Sequence, residues 1–359
     1  SWRVRINITM ADFNINHITG NQGQQGTVLA GVTTVSSTGS MRIPSGPTTY
    51  RGGRGRGVLA PGYVSPALSA NYFLMNVVEI STLGNATEFG YLAQNKDTQD
   101  YGASAGVVAS STRGVVCGGS YQPSLAGEYT IQYYNFSSLG GSYDFGGVLT
   151  GATSHFMTGF SDGVRGIIAG GVGPVNVMEY ITIATNGGAT DFGDMTVKVR
   201  DPSATASPTR GIIFGGATPT KLNNIQYVTI ATTGDAQDFG DLSTGVSVAY
   251  ACGSPTRAIN GGGETSSPTN VIEYVTIASK GNASDFGDLH RAEQSLAACS
   301  THIRGIFTGG YGANPYPTTN RMDYITIATT GNAADFGDTT FDGYRNHSQA
   351  SDSHGGIGG

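Results

Sequence analysis

Residues 210–242 read RGIIFGGATPTKLNNIQYVTIATTGDAQDFGDL, and the closing phrase of that stretch recurs along the chain. Asp144-Phe145-Gly146, Asp191-Phe192-Gly193, Asp238-Phe239-Gly240, Asp285-Phe286-Gly287 and Asp335-Phe336-Gly337 are five copies, and Glu88-Phe89-Gly90 is a weaker sixth. From Phe89 onward the phenylalanines lie 56, 47, 47, 47 and 50 residues apart. Self-similarity at such a period marks an array of small structural units.

Other columns keep the same register. A short apolar run ends in a Gly pair at Gly118-Gly119, Gly170-Gly171, Gly215-Gly216, Gly261-Gly262 and Gly309-Gly310. An arginine precedes that run at Arg113, Arg165, Arg210, Arg257 and Arg304, and Arg56 fits the same position. Next comes a run such as NVIEYVTIAT or NRMDYITIAT, with Tyr180, Tyr227, Tyr274 and Tyr324 in register. Turns of the T-x-G-N-A type and the DFGDL segment come after it, then a run of small residues such as Ala249–Cys252 or Leu296–Cys299.

Each unit therefore predicts four short strands. Strand a is the small-residue run, strand b ends at the Gly pair, strand c is the EYVTIAT segment and strand d is DFGDL. Val, Ile, Thr and Tyr in strand c match β-propensity. Ile272 and Tyr274 on one side of it, and Val275 and Ile277 on the other, predict a sheet covered on both faces. Small residues suit an innermost strand where sheets converge. The Gly pair permits backbone turns closed to other residues. Phe145, Phe192, Phe239, Phe286 and Phe336 are the apolar anchors of an outer strand, each worth on the order of 2–3 kcal/mol when buried.

Composition agrees. Of 359 residues, 56 are Gly and only 12% are charged, so the polar surface is Gly, Ser, Thr and Asn rather than Lys and Glu. Such a chain disfavours long helices and suits short strands with tight turns. The net charge of −6 gives no basic surface for nucleic acid. Arg51, Arg54 and Arg56 form a basic cluster, and the repeat position explains Arg56. No apolar run approaches the roughly 18 residues of a membrane helix, and no secretory pattern opens the chain. Residues 1–9 look unlike the rest of the chain, and Met10 is an alternative start.

The double Gly, the Tyr on the next strand and the large outer-strand aromatic resemble the kelch repeat, with Phe in place of the usual Trp (Trp2 is the single Trp). The resemblance covers roughly residues 55–359. The RGIFxGG…YVTIATxGNAxDFGDL wording and NINHITGNQGQQGTVLAGVTTV further resemble kelch-like proteins of tailed bacteriophages of marine bacteria. The resemblance implies an all-β, kelch-like β-propeller of four-stranded antiparallel blades in residues 51–359, preceded by an arm or docking segment, residues 1–50, with short strands. It further implies a virion structural protein, in a tail fibre, tail tip or capsid decoration, on the virion exterior. Other virion proteins would be contacted through residues 10–50, homo-oligomerisation is expected, and a host-surface glycan or protein would be the target. The alternatives are a free carbohydrate- or protein-binding propeller and a kelch-type oxidase.

Six strand-b starts, near Gly57, Gly114, Gly166, Gly211, Ala258 and Gly305, predict six blades, the first completed by a C-terminal strand near Asn346–Ser353. In the alternative, SHGGIGG opens a seventh strand b and residues 352–359 pair with residues 27–45.

Candidate chemistry is sparse. A DFG recurring in every unit is scaffold, not the single kinase triplet. Asp285, Asp288 and Asn282, repeated as Asp335, Asp338 and Asn332, are a weak calcium alternative, because calcium takes six to eight oxygens. Asp and Asn side chains closing turns are the commoner use. The repeat arginines begin buried strands, so their charge needs a partner. An Arg–carboxylate fork with Asp238, Asp335 or their equivalents would supply one. His17, His155, His290, His302, His347 and His354 match no metal spacing. Cys117, Cys252 and Cys299 are odd in number and lack a CxxC, and Cys252 and Cys299 occupy equivalent repeat positions. No copper-radical set of two His, two Tyr and a Tyr–Cys pair assembles, and no G-x-S-x-G motif occurs, so neither a cofactor nor catalysis is expected. Variation concentrates after the Gly pair and after DFGDL. There Tyr63, Tyr121, Tyr311 and Tyr316, with neighbouring prolines, are candidate contacts for a ligand or partner.

Overall fold

The computed structural model describes residues 55–62, 73–93, 104–121, 126–150, 154–312, 318–340 and 346–357, together with the backbone of four short strands before residue 50. The chain divides into two compact units, Ser1–Thr49 and Tyr50–Gly359. In the first, Ile6–Thr9 pairs antiparallel with Asp12–Ile15, and Val28–Leu29 with Thr33–Thr34.

The second unit is a six-bladed β-propeller, each blade a four-stranded antiparallel sheet in the order a-b-c-d. For blades 1 to 6, strand a is Ser348–Ser351, Gly106–Ala109, Thr158–Ser161, Ser203–Ala206, Tyr250–Gly253 and Ala297–Ser300. Strand b is Arg56–Ala60, Arg113–Tyr121, Arg165–Ala169, Arg210–Phe214, Arg257–Gly261 and Arg304–Thr308. Strand c is Leu74–Glu79, Ala126–Asn135, Val175–Thr182, Asn224–Thr229, Val271–Thr276 and Arg321–Thr326. Strand d is Thr87–Tyr91, Tyr143–Val148, Thr190–Val199, Gln237–Asp241, Ser284–Asp288 and Ala334–Asp338.

Blade 1 takes its strand a from the C-terminal end of the propeller. Ser348 pairs with Ala60 and Ser351 with Gly57, which closes the ring. The seven-blade alternative is therefore corrected: Gly355–Ile357 forms one turn of 3-10 helix rather than a strand b. Six sheets already complete the circle and leave no edge for a seventh.

A buried cluster fills each boundary between neighbouring blades. Ile272, Tyr274 and Phe286 of blade 5 meet Phe307, Ile325 and Ile327 of blade 6. On the other side of blade 5, Val275 and Ile277 meet Ile212, Ile225 and Phe239 of blade 4. The two apolar sides of strand c thus serve two different boundaries, as expected of a sheet with no solvent-facing side.

Strand a is mostly small because six copies converge on the axis, and serine hydroxyls tie neighbouring copies together. Ser161 Oγ donates to the Ala109 carbonyl at 2.7 Å and accepts from the Ala109 N–H. Ser300 does the same with Gly253. The glycine next to the repeat arginine makes room for a strand-a side chain of the preceding blade: a Cβ on Gly211 would collide with Phe160, and one on Gly305 with the Cys252 thiol.

The Gly pairs leave strand b with positive φ, for example 54° and 98° at Gly215 and Gly216. In blade 5 the pair expected at Gly261-Gly262 lies one residue later. Gly262 and Gly263 carry φ of 64° and 98°, while Gly261 still pairs with Ile272 and Tyr250 in the sheet. Three consecutive glycines hid the register, and only the last two sit where φ must be positive.

Candidate functional site

Three columns of repeated residues link each blade to its neighbour. The expected Arg–carboxylate forks with Asp238 and Asp335 do not form. Arg210 Nη1 donates instead to the carbonyls of Ile277 and Ala278 in blade 5, at 3.0 and 3.2 Å. All six repeat arginines reach the end of strand c in the next blade, at 2.7 to 3.1 Å: Arg56 to Phe136, Arg113 to Ile183, Arg165 to Ile230, Arg257 to Ile327, and Arg304 to Ile80 across the closure. Those carbonyls are released where strand c turns away, and a charged donor satisfies them. The cation is balanced by aromatic faces. The guanidiniums of Arg113, Arg165, Arg210, Arg257 and Arg304 lie 4.1 to 4.9 Å from the centroids of Tyr133, Tyr180, Tyr227, Tyr274 and Tyr324. Each tyrosine in turn meets its own blade's DFG phenylalanine edge-on, at 5.9 to 6.2 Å.

The G-N-A turn and the DFGD strand form a second link. Gly281 N–H donates to the Phe239 carbonyl, Ala283 N–H to the Asp241 carbonyl, and Asn282 Oδ1 accepts from Asp241 N–H. The c–d turn of one blade thus caps the outer edge of strand d in the blade before, which would otherwise offer a template for aggregation. The Phe-carbonyl bond recurs at all six boundaries, from Gly84, Gly140, Gly187, Gly234, Gly281 and Gly331. The DFG glycine is required there: a Cβ on Gly240 or Gly287 would overlap the next blade's turn backbone. Asn282 and Asn332, the amides of the calcium alternative, are thus engaged with Asp241 and Asp288 N–H. Asp285 and Asp288 stand on strand d of blade 5, opposite Glu273 and Val271. Among the described residues, no three His, Cys, Asp or Glu side chains gather as a metal site.

A third link escaped the reading of the sequence. The residue before the strand-c tyrosine column is polar in every blade: Asn76, Gln132, Glu179, Gln226, Glu273 and Asp323. In five blades it accepts from the end of strand d, or the residues just past it, in the preceding blade; in blade 2 Gln132 Oε1 takes the hydroxyl of Ser142 in its own c–d turn, and Ser142 Oγ in turn accepts from Ala93 N–H of blade 1. Gln226 Oε1 takes the Thr196 N–H and hydroxyl, Glu273 takes Ser243 N–H, Asp323 takes His290 N–H, and Glu179 takes the Thr150 N–H and hydroxyl. The available signal was a polar residue in the middle of an otherwise apolar strand, in all copies.

The a–b and c–d turns form one face of the wheel, and the b–c and d–a loops form the other. The loop face surrounds the axis with six left-handed residues, each two positions before strand a: Ser104, Phe156, Asp201, Val248, Ser295 and Asn346, with φ of 49° to 58°. Backbone bonds run around them, from Ser104 to Asn346, Asn346 to Ser295, Ser295 to Val248, Val248 to Asp201, and Asp201 to Phe156. These bonds offset a conformation that costs about 1–2 kcal/mol per non-Gly residue. Beside this ring, burial pushes the Asp201 carboxyl up to about 7 against the opposing pull of Arg200, with Glu264 adding to the rise. Burial also holds Glu293 up to about 7 despite Arg291 at 3.2 Å.

Of the four candidate contact tyrosines, Tyr311 is half-buried on the loop face, its backbone paired with Gln294. Tyr121 ends strand b of blade 2, its side chain outside the described residues, and Tyr63 and Tyr316 lie outside them altogether. The axial channel narrows to a cavity of about 50 Å³ lined by the strand-a residues, Val108, Ser161, Thr205, Cys252 and Ser300 among them. His354 crosses its turn-face end, with Nε2 2.9 Å from the Ala109 carbonyl, and burial holds its imidazole down to about 4. Cys117, Cys252 and Cys299 are free and buried, and burial pushes the Cys252 thiol up to about 12. A thiol held protonated is a poor nucleophile.

No protein-family model matches the chain, and no curated protein is similar to it.

Proposed function

We propose that this protein is a structural component of a tailed-phage virion, carried on the particle exterior as a tail fibre, tail tip or capsid decoration. Residues 10–50 dock it to other virion proteins, and the kelch-like wheel presents its loop face to a host-surface glycan or protein. It carries out no catalysis and holds no cofactor. One observation carries this reading: the repeated Arg, Gly-Asn-Ala, Asp-Phe-Gly and strand-c polar columns build the links between blades. The sequence invests in a closed, rigid frame and leaves its variation to the loops of one face, the division of labour expected of a display scaffold. The resemblance of the repeat wording to phage kelch-like proteins supplies the virion setting.

Quantitative mass spectrometry of purified particles tests this. A constant copy number per particle that persists through density-gradient purification is the expected result. Protein found only in the soluble fraction of infected cells would overturn it. Glycan-array binding of the intact protein, lost in Tyr311→Ala or Tyr316→Ala, would locate recognition on the loop face. Such binding by a protein absent from particles would favour the free carbohydrate-binding module.

A further inference from the structure

Blade 1 breaks the tyrosine column. Where the other blades have Tyr133, Tyr180, Tyr227, Tyr274 and Tyr324, it has Val77. Two residues on, where four blades have Thr and blade 2 has Asn135, it has Glu79. Arg56 keeps its bond to the next blade, the Phe136 carbonyl at 2.7 Å, but with no ring to lie on it turns Nε to Glu79 Oε1 at 2.9 Å. The space a tyrosine ring occupies elsewhere is an open cleft of about 300 Å³, lined by Arg56, Val77, Glu79, Leu83, Thr87 and Leu139. Thr87 is the cross-strand partner of Val77, as Gln237 is of Tyr227, which places the cleft at the missing ring. The interior beneath is filled from the other side of the boundary, where Tyr134 of blade 2 meets Phe89 edge-on at 5.5 Å.

The rim of the cleft changes as well. Leu83 and Leu139 are 57% and 64% exposed, at the c–d turn position that holds Asn186, Thr233, Lys280 and Thr330 in the other blades. Exposed leucines thus stand on the two turns that flank the vacated position, while the equivalent turns elsewhere carry polar residues.

We propose that this cleft binds one phenol-class aromatic ring from outside the propeller, free or as a tyrosine side chain of a polypeptide. The molecule displays the ring five times beneath an arginine, and in blade 4 its hydroxyl has an acceptor across the strand pair, Tyr227 Oη donating to Gln237 Oε1 at 2.5 Å. In blade 1 the ring enters between Leu83 and Leu139 and lies against Arg56 and Val77. The Glu79 carboxylate and the Thr87 hydroxyl, both on the wall, are the acceptors for its hydroxyl. This site lies on the turn face and is independent of the virion reading.

The test is ligand-observed NMR on the intact protein, with p-cresol as probe and 4-methylcyclohexanol as its non-aromatic control. Millimolar binding is expected of so small a probe, with p-cresol favoured by about tenfold because the guanidinium selects a π face. Val77→Tyr refills the cleft and is expected to abolish p-cresol binding without lowering the melting temperature. Leu139→Asp, at an exposed turn, is expected to weaken binding several-fold and keeps the test decisive if Val77→Tyr misfolds. The capped tripeptide Ala-Tyr-Ala assigns the source: tighter binding than p-cresol points to a polypeptide, equal or weaker binding to a free phenol. No p-cresol binding, equal binding of the control, or undiminished binding in the variants would overturn the proposal.

Discussion

At the boundary between blades 4 and 5 the large side chain comes from the earlier blade: Tyr227 shares a cluster with Val275. At the boundary between blades 1 and 2 it comes from the later one: Val77 shares a cluster with Tyr134. One further residue adapts to the exchange. Tyr134 lies over Gly114, the glycine that strand-a side chains such as Phe160 and Cys252 cover at other boundaries, and the equivalent strand-a residue of blade 1 is the small Ala350. The wheel conserves volume at each boundary rather than the residue in each column, as close packing requires. The exchange is complete in the interior and incomplete at the surface, which is why blade 1 has a cleft at the position where blade 4 has the Tyr227 ring.

The largest expected effect breaks that exchange directly. Tyr134→Val should cost about 3 kcal/mol, the range for opening a cavity of that size. Adding Val77→Tyr should recover at least about 1 kcal/mol, because the other boundaries place their ring on that side. Urea titrations of the two singles and the double variant measure the coupling; strict additivity would break the comparison.

Next comes the backbone link common to both boundaries. Gly240 and Gly281 share a φ of +155°, but a Cβ on Gly240 would strike the Gly281 backbone, while one on Gly281 meets nothing within 4 Å. Gly240→Ala should therefore cost about 2–3 kcal/mol and Gly281→Ala about 1 kcal/mol, the latter from backbone strain alone. Equal melting-temperature losses would show that strain, not the contact between blades, decides.

A smaller difference separates the arginines. Arg210→Met loses two carbonyl bonds and a tyrosine face, about 2 kcal/mol. Arg56→Met loses one carbonyl and a Glu79 side chain that is 45% exposed and stays solvated, about 1 kcal/mol. A larger loss at Arg56 would mean that its ion pair carries more than the geometry implies.

The smallest effect contrasts blade 4 with blade 1 at the channel mouth, where Asp201 and Asn346 hold equivalent left-handed positions. The folded Asp201 carboxyl stands near 7 against an ordinary 3.8, so the folded state binds the proton more tightly. Its contribution is complete below about pH 4 and lost as pH rises through 7. Asp201→Asn should match the parent at pH 4 and exceed it by on the order of 1–2 kcal/mol at pH 8, read from melting curves. His347 and His354 act with the opposite sign. Held down to about 4, they stabilise fully above pH 6.5 and lose that contribution as pH falls to 4.

The repeat period, the four strands of each blade and the C-terminal closing strand near Asn346–Ser353 were legible in the sequence, because apolar periodicity and glycine placement encode them locally. The partners of the repeat arginines were not. A fork was expected within one blade or with a neighbour's aspartate, whereas Arg210 bonds a main-chain carbonyl of Ile277, a group present in any sequence. The Gly pair of blade 5 slipped by one because three glycines read alike until φ separates them. The blade 1 cleft was written as a departure, Val77 and Glu79 against Tyr and Thr, but its meaning depended on Tyr134 and Leu139 of the next blade. The loop tyrosines Tyr63 and Tyr316 lie outside the described residues, so their contacts are read from the sequence alone.

The central claim is a closed wheel in which Ser348–Ser351 completes the first blade against Arg56–Ala60. Native-state hydrogen exchange on the intact protein tests it most directly. The account predicts that the amides of residues 348–351 that bond to residues 56–60 exchange as slowly as their equivalents in Ala297–Ser300, through the same global opening. Exchange of those amides at the rate of unstructured peptide, while strand b of blade 1 stays protected, would contradict it.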